Sequence, residues 1–233
     1  YKTGTFTSPF ITRFNERISV NGRPISDQDL VKTFDFVRPW LEEITKTDLG
    51  ILTEFELVTV LAFVYFGQIQ PVGLVIIEAG IGGRFDSTNV ITPLATICTS
   101  IGYDHTETLG DRLEDIAWQK AGAIKPNRPM ILGSMPRQAR SVFEREAQGL
   151  GAPHYRLGQE FQIKDEMEVF DFISPLGSLE NLHTSLLGPH QKNNAALAIQ
   201  ASLLLRFDFP KIDELAIRKG LRSATWPGRG ELV

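Results

Sequence analysis

The sequence is poor in cysteine and in long apolar runs. Cys98 is its one cysteine, so a disulfide within the chain is excluded. The apolar neighbours of Cys98 are typical of a buried strand rather than of a reactive thiolate site. The longest apolar run, Leu57 to Phe66, is too short to span a bilayer, and no signal peptide is visible. We therefore expect a globular protein of the cytoplasm that works without a membrane partner.

The sequence also lacks an excess of positive charge and the common phosphate-binding motif. Its 24 lysines and arginines are outnumbered by 28 aspartates and glutamates, which gives a net charge of -4. This balance argues against a protein that wraps the phosphates of a nucleic acid. No Gly-x-x-x-x-Gly-Lys-Ser/Thr motif and no Gly-Lys pair occur. Nothing in this chain can therefore serve as a P-loop.

What the sequence does contain is an alternation of apolar strands and helices. Its 233 residues, 42% of them hydrophobic, suffice for one large domain or for one domain with a small insertion. The alternation predicts an α/β fold in which a mostly parallel sheet is flanked by helices. The predicted strands are 74–77, 95–101 and 130–133, and the predicted helices are 55–66, 113–121, 137–148, 193–205 and 211–220. Short alternating segments over 154–187 predict a small antiparallel β insertion.

Turn and cap residues set further expectations. The sequence Asn21-Gly22 is typical of a hairpin turn. Ser26 is expected to cap one helix, and Thr53 is expected to cap the next, with Glu56 completing a capping box.

The segment 74–89 organises the chain. An apolar strand is followed by Glu78 and then by a glycine-rich loop that carries Arg84 and Asp86. Because open α/β sheets bind ligands beyond the carboxyl ends of their strands, this loop is a candidate binding site. The loop is not a dinucleotide fingerprint, since Phe85 stands at the position of the third glycine. The alternative interpretation is that this segment is only a strand followed by a glycine turn, with charged side chains exposed to solvent.

A second polar loop follows the strand predicted at 95–101 and carries His105. Glu78 and His105 are therefore expected on the same rim of the sheet, where a carboxylate and an imidazole could hold Mg²⁺ beside substrate phosphates. The alternative for His105 is a loop residue bonded to Asp104 or Thr106. From composition alone, Lys120 is interpreted as a helix lysine exposed to solvent. The segment 190–194 is then a polar helix cap, and the segment 226–229 is a turn.

Taken together, these pieces resemble the folylpolyglutamate synthase and dihydrofolate synthase group of the Mur ligase superfamily. The resemblance runs through nearly the whole chain and is carried by the motifs at 7–9, 13–18, 53–56, 78–89, 102–110, 120–125, 187–194 and 227–231. Each motif alone would be weak, and their occurrence in this order is a strong signal.

The resemblance implies an ATP-dependent amide ligase. In such enzymes the carboxylate of a folate or of dihydropteroate attacks the γ-phosphate of ATP, and the amine of L-glutamate then attacks the resulting acyl phosphate and displaces inorganic phosphate. Phosphoryl transfer of this kind depends on positioning and on charge neutralisation by metal ions and cationic groups.

The resemblance also implies roles for individual residues. It assigns Glu78 and His105 as Mg²⁺ ligands, and Lys120 as a lysine that the family carries as a carbamate. It places Asn194 near the adenine of ATP and Arg229 near the phosphates. The remaining matches concern the acceptor substrate: Thr53, Phe55 and Asp86 line a pterin pocket, and Thr7, Ser8 and Pro9 form a loop on the folate side.

Two departures from the family pattern bear on function. Phe10 stands where many relatives have a histidine after Ser-Pro. The family's P-loop is expected before Tyr1, and its second domain, which binds the incoming glutamate, is expected after Val233. We therefore interpret residues 1–233 as the central ATP-binding domain of such a ligase, monomeric and inactive on its own. A cell-wall Mur-type peptide ligase and a non-catalytic domain that binds pterin or nucleotide are the alternatives.

Overall fold

The computed structural model describes residues 1–166 and 168–228. The chain divides into two compact units, Tyr1–Ile91 and Thr92–Val233. Within the described residues, no helix is both long enough and apolar enough to cross a membrane.

The first unit is built on a four-stranded sheet. Its strands are β1 (Thr3–Phe6), β2 (Ile18–Val20), β3 (Arg23–Pro24) and β4 (Leu74–Ile77), in the spatial order β3-β2-β1-β4. β1 runs antiparallel to β2 and parallel to β4, with Phe6 opposite Ile77. Asn21 and Gly22 connect β2 to β3 with φ values of 50° and 74°, which confirms the predicted hairpin.

Two helices share a core with this sheet. They are α1 (Asp27–Ile44) and α2 (Glu54–Val64), and a π-helical turn, Tyr65–Ile69, continues α2. Both predicted caps are confirmed. The Ser26 hydroxyl accepts a hydrogen bond from the Asp29 amide at 3.0 Å, and Thr53 forms a reciprocal capping box with Glu56.

Strand β4 has the predicted bounds but not the predicted burial. Val75 is 37% exposed and Ile76 is 57% exposed, although both were expected in a buried strand. Among the described strands β4 pairs only with β1, so it is an edge strand whose side chains are incompletely covered. An apolar run reveals a strand but does not reveal how many neighbours that strand has.

The second unit contains a parallel sheet and an antiparallel sheet. The parallel sheet has the order β5 (Thr96–Cys98), β6 (Met130–Leu132), β7 (His154–Arg156), and the antiparallel sheet has the order β10 (Gly177–Leu182), β9 (Val169–Ser174), β8 (Gln162–Glu166). The helices are α3 (Thr106–Leu109), α4 (Leu113–Ala121), α5 (Arg137–Gly149), α6 (Pro189–Leu205) and α7 (Glu214–Ser223). The predicted α/β class, with a parallel sheet, helices and antiparallel elements, is confirmed.

Several boundaries in this unit differ from the prediction. Strand β5 ends at Cys98 and not at Ile101, and helix α6 begins at Pro189 and not at Asn193. Residues His154–Arg156 were assigned to the antiparallel insertion, but they form the third strand of the parallel sheet, so antiparallel pairing begins only at Gln162. Helix α7 begins after Asp213 rather than at Lys211, because the Asp213 carboxylate accepts a hydrogen bond from the Ala216 amide at 2.7 Å.

Strand β6 is covered on both faces. Met130 and Leu132 face one apolar cluster together with Phe143 of α5, and Ile131 faces another together with Leu197 of α6. All three strand residues are fully buried. This is the arrangement expected of a central parallel strand between helical layers.

The approach of β5 to β6 depends on Gly133. A Cβ atom at this position would lie 1.9 Å from the carbonyl oxygen of Thr99. We expect Gly133→Ala to destabilise the protein by about 3 kcal/mol, because backbone atoms would have to separate to admit the methyl group. Gly149→Ala is the matched control, since nothing lies within 4 Å of its Cβ position. Denaturant unfolding of both variants tests this prediction, and equal midpoints would contradict it.

A cluster of ion pairs joins β7 to α5. Arg156 donates to both carboxylate oxygens of Glu160, at 2.8 and 2.5 Å, and also pairs with Glu144. Hydrogen bonds from Arg156 lower the pKa of Glu160 to about 2. The side chains involved are between 23% and 32% exposed, so solvent screens the pairs only in part.

This cluster predicts a defined pH dependence. Because the pKa of Glu160 is lower in the folded state than its ordinary value of 4.5, its stabilisation is complete above about pH 4.5 and is lost as the pH falls towards 2. We expect Glu160→Gln to lower the free energy of unfolding by about 1–2 kcal/mol at pH 7 and by clearly less at pH 3. Denaturant titrations at both pH values measure this, with Glu42→Gln as the exposed control. A penalty that stays constant between pH 7 and pH 3 would rule the mechanism out.

Candidate functional site

The parallel pairing of β1 and β4 sets the geometry of the site in the first unit. Thr7 follows β1 and Glu78 follows β4, so the two residues leave neighbouring strands at the same end. The backbone amide of Ser8 donates a hydrogen bond to Glu78 Oε2 at 3.0 Å, and the amide of Glu78 donates to the carbonyl of Phe6 at 2.9 Å. The loop predicted on the folate side and the predicted metal ligand are therefore in direct contact. The peptide bond between Ser8 and Pro9 is cis.

Asp86 organises the glycine-rich loop that follows Glu78. Its Oδ2 accepts hydrogen bonds from the amides of Gly80 and Ile81 at 2.9 and 3.0 Å. Its Oδ1 accepts from the amide and the hydroxyl of Thr88 at 3.0 and 2.6 Å. Both carboxylate oxygens of Asp86 thus hold the loop. A pterin N–H that bonds to Asp86 would share one of these oxygens with the loop donors.

Phe55 connects the start of α2 to the same loop. A Cβ atom on Gly80 would lie 2.5 Å from the Phe55 ring, so glycine permits close contact between the two. The ring also packs against Phe6, with 5.8 Å between the centroids. Phe55, Gly80 and Asp86 therefore form one contiguous surface. Thr53 stands next to it in the capping box, where its hydrogen bonds lower the pKa of Glu56.

Two neighbouring side chains were not given a role by the sequence analysis. The Arg17 guanidinium lies over the rings of Phe10 and Phe14, at 5.3 and 5.8 Å from their centroids, and pairs with Glu54 at 3.6 Å. The Glu16 carboxylate binds the loop that follows Pro9. Both residues belong to the motif at 13–18, but a motif alone does not say which groups its charges contact. Phe10, which replaces a histidine, thus packs on Arg17.

In the second unit, His105 has an unusual backbone conformation. It takes φ 49° and ψ 39°, the left-handed region that side-chain-bearing residues seldom adopt, and it immediately precedes α3. Its amide donates to Asp104 Oδ1 at 2.9 Å, and its Nε2 lies 3.8 Å from Asp104 Oδ2. A local hydrogen bond between His105 and Asp104 was one predicted alternative to a metal-binding role. The imidazole of His105 is half exposed.

Lys120 lies in the last turn of α4, near the end of β5. Burial raises the pKa of Cys98, the last residue of that strand, to about 12, and the nearby charge of Lys120 offsets this only in part. The thiol of Cys98 is therefore neutral, which argues against a reactive thiolate, and the side chain packs against the apolar cluster while remaining partly exposed.

The expectation of one rim for Glu78 and His105 stays a prediction. In the part of the chain that the structure describes, β4 and β5 belong to different hydrogen-bonded sheets, and the two residues lie in different units. No group of three or more His, Cys, Asp or Glu side chains placed to hold a metal occurs among the described residues. A hard cation can take one protein carboxylate and complete its coordination shell with phosphate oxygens and water. Glu78 fits such a cation, because Ser8 is hydrogen-bonded to only one of the two Glu78 carboxylate oxygens.

Asn194 lines a cavity of about 480 Å³ between α6 and α7. The walls are mostly small or apolar side chains, among them Ala198, Ile217 and Leu221. Asn194 Nδ2 donates to Gln191 Oε1 at 3.1 Å, which orients the amide so that its oxygen is the remaining acceptor. Arg229, predicted to reach the phosphates, lies outside the described residues.

The contact between Phe55 and Gly80 yields a direct test of the site. We expect Gly80→Ala to displace the Phe55 ring, because the added methyl group occupies the position of the ring. The motif resemblance implies that Phe55 lines the acceptor pocket, and on that expectation the KM for the acceptor rises about tenfold. Gly67→Ala, in the same unit but with nothing within 4 Å, is the control. Steady-state kinetics on variants of the intact protein that carries this sequence decide the matter, and an unchanged acceptor KM would show that Phe55 does not line the pocket.

Comparisons with known proteins extend these observations. No model of a known protein family matches the sequence. The chain is 45% identical over 239 residues to the dihydrofolate synthase/folylpolyglutamate synthase of Bacillus subtilis (strain 168), covering 100% of this chain and 56% of that protein.

Solved structures give a consistent result. The apo form of L. casei FPGS matches with a TM-score of 0.91 and 37% identity, over 99% of this chain and 58% of that chain. A complex of FPGS with AMPPCP and folate matches with a TM-score of 0.89 and 37% identity, over 98% of this chain and 57% of that chain. The chain thus spans about half the length of the relatives it matches, and the resemblance predicted from its motifs is confirmed.

Proposed function

Since the chain is homologous over its whole length to folylpolyglutamate synthases and dihydrofolate synthases, of which it spans about half, we propose that the protein is an ATP-dependent ligase. Its reaction joins L-glutamate to a folate or to dihydropteroate. The observation that supports this proposal is the hydrogen bond between the Ser8 amide and Glu78, because it joins the segment that we assign to the acceptor to the carboxylate that we assign to Mg²⁺. The relatives that were solved with an ATP analogue and folate support the same substrates.

The proposed reaction has two steps. The acceptor carboxylate attacks the γ-phosphorus of ATP, which forms an acyl phosphate and releases ADP. The amine of glutamate then attacks the acyl carbon, and inorganic phosphate leaves as the amide bond forms. Neither step requires a covalent bond to the protein, so its residues act by binding, orienting and neutralising charge.

The acceptor side of the site lies in the first unit. We assign the pterin to the surface of Phe55 and Asp86 next to Thr53, where an aromatic ring and a carboxylate provide a flat apolar contact and hydrogen-bond acceptors. We assign Thr7, Ser8 and Pro9 to the acceptor as well, and the Ser8 amide is hydrogen-bonded to Glu78, which precedes the glycine-rich loop.

The phosphate side depends on Glu78, His105 and Lys120. We assign Glu78 and His105 as the residues that hold Mg²⁺, which when bound neutralises charge on the phosphates of ATP. We further propose that Lys120 is carbamoylated: its neutral amine adds to carbon dioxide and loses a proton, which converts a cation into an anion with two oxygens. That modification requires a neutral amine at the moment of reaction.

The adenine is assigned to the cavity beside Asn194. The Asn194 amide is oriented by Gln191, so its oxygen can accept a hydrogen bond from the exocyclic amine of the base. The apolar walls of the cavity suit a flat heterocycle. Arg229 is assigned to the phosphates by the family resemblance alone.

We also retain the proposal that residues 1–233 act as a central ATP-binding domain and need further parts of the family's architecture for turnover. The chain has no P-loop motif of its own. The proposed protein is a monomer of the cytoplasm that acts on small molecules and not on nucleic acid, in keeping with its net charge of -4.

The decisive experiment measures incorporation of labelled glutamate by the intact protein that carries this sequence. Mg-ATP is supplied with dihydropteroate or with tetrahydrofolate in separate reactions. We expect product with at least one acceptor, a loss of at least about 100-fold in kcat for Glu78→Ala, and normal turnover for the surface control Glu43→Ala. The purified 233-residue chain is expected to show none.

Other outcomes favour the alternatives. Absence of product with both acceptors, together with turnover of uridine-diphosphate-linked peptides, would identify a cell-wall ligase. Tight binding of pterin or nucleotide without any turnover by the intact protein would identify a binding scaffold.

A further inference from the structure

One carboxylate holds the loop that runs from Ser8 to Arg13. Glu16 accepts hydrogen bonds from the amide of Ile11 at 2.8 Å and from the amide of Arg13 at 3.0 Å. It also accepts from the hydroxyl of Thr12 at 2.5 Å and from the Thr12 amide at 3.3 Å. Three consecutive residues of the loop are thus tied to a single side chain.

The other polar contact at this point is exposed to solvent, because the Arg13 guanidinium pairs with Asp27 at 3.1 Å and both side chains are more than half exposed. Ile11 is 56% exposed, and Thr12 and Arg13 are exposed as well. The base of the loop is closed by a hydrogen bond from the Thr7 amide to the Arg17 carbonyl at 3.0 Å. Hydrogen bonds from Thr12 and Ile11 lower the pKa of Glu16 to about 2, so the carboxylate is ionised at any pH near neutrality.

The other end of this loop reaches Glu78. The Ser8 amide, which donates to Glu78 Oε2, is three residues before the first amide that Glu16 holds. A change in the path of the backbone at 11–13 would be transmitted to Ser8 through a short connection. The orientation of Glu78 and the position of the acceptor loop therefore depend on the same segment.

We propose that Glu16 is a positioning residue for ligation. Its carboxylate fixes the loop at 11–13, which keeps Thr7, Ser8 and Pro9 beside the acceptor and keeps the Ser8 amide on Glu78. Glu16 itself touches neither substrate. This inference rests on the proposed function, since it concerns the acceptor loop of that site.

The test uses Glu16→Gln in the intact protein. Glutamine has the same shape, but only its amide oxygen can accept, so the donors at one of the two carboxylate oxygens of Glu16 lose their partner and the charge is removed as well. We expect hydrogen exchange to become at least about tenfold faster at those amides among Ile11, Thr12 and Arg13 whose acceptor oxygen is replaced by the amide nitrogen, because the bonds that protect them are lost. We expect the KM for the acceptor to rise about fivefold, with the KM for ATP within about twofold of wild type. Glu43→Gln, a surface carboxylate paired with Lys46, is the control and should change none of these values.

A purely structural role would give a different result. If Glu16 only stabilised the fold, its loss would lower the unfolding midpoint and leave the acceptor KM unchanged, and that result would overturn the proposal. Should Glu16→Gln not fold, Thr12→Val removes one of the four bonds and should shift exchange and acceptor KM in the same direction by a smaller factor.

Failure of this inference can be told apart from failure of the proposed function. An active wild-type protein with an unchanged Glu16→Gln variant contradicts only the positioning role. A wild-type protein that makes no product with either acceptor contradicts the ligase assignment and with it this inference.

Discussion

The parallel pairing of β1 with β4 is the constraint on which the rest of the site in the first unit depends. Because Phe6 lies opposite Ile77, the residues that follow the two strands emerge side by side. Two segments separated by about 70 residues in sequence are thereby held at hydrogen-bonding distance, as the Ser8 to Glu78 contact shows. The pairing of the two strands therefore sets the positions of Ser8 and Glu78, and the loops adjust only the local geometry around them.

The refinement is achieved largely by carboxylates that accept from backbone amides. Asp86 holds the glycine-rich loop, Glu16 holds the loop after Pro9, and Glu56 closes the capping box at Thr53. Loop amides lack the partners that helices and sheets provide, and an ionised acceptor satisfies two or three of them at once. The consequence is that several acids near the site are structural, so acidity near a ligand pocket does not by itself identify a catalytic group.

Local signals in the sequence predicted local structure well. The caps at Ser26 and Thr53, the turn at Asn21 and Gly22, and the strand of Leu74–Ile77 are all confirmed. What could not be predicted depends on contacts distant in sequence. The exposure of Ile76 follows from the number of neighbouring strands, and the parallel pairing of His154–Arg156 follows from β6. The role of Phe10 depends on Arg17, whose position is set by the fold and not by the motif.

The exposed strand β4 has a practical consequence for handling the protein. Among the described strands, only β1 pairs with β4, so the other edge of β4 has no partner strand. The side chains of Val75 and Ile76 are exposed. An apolar, unpaired edge is a template on which a strand from another molecule can add, and charged residues that usually prevent this are absent from Leu74–Ile77. We therefore expect concentrated samples of this chain to associate through intermolecular β pairing at this edge, and we expect a partner that covers the edge to reduce that association.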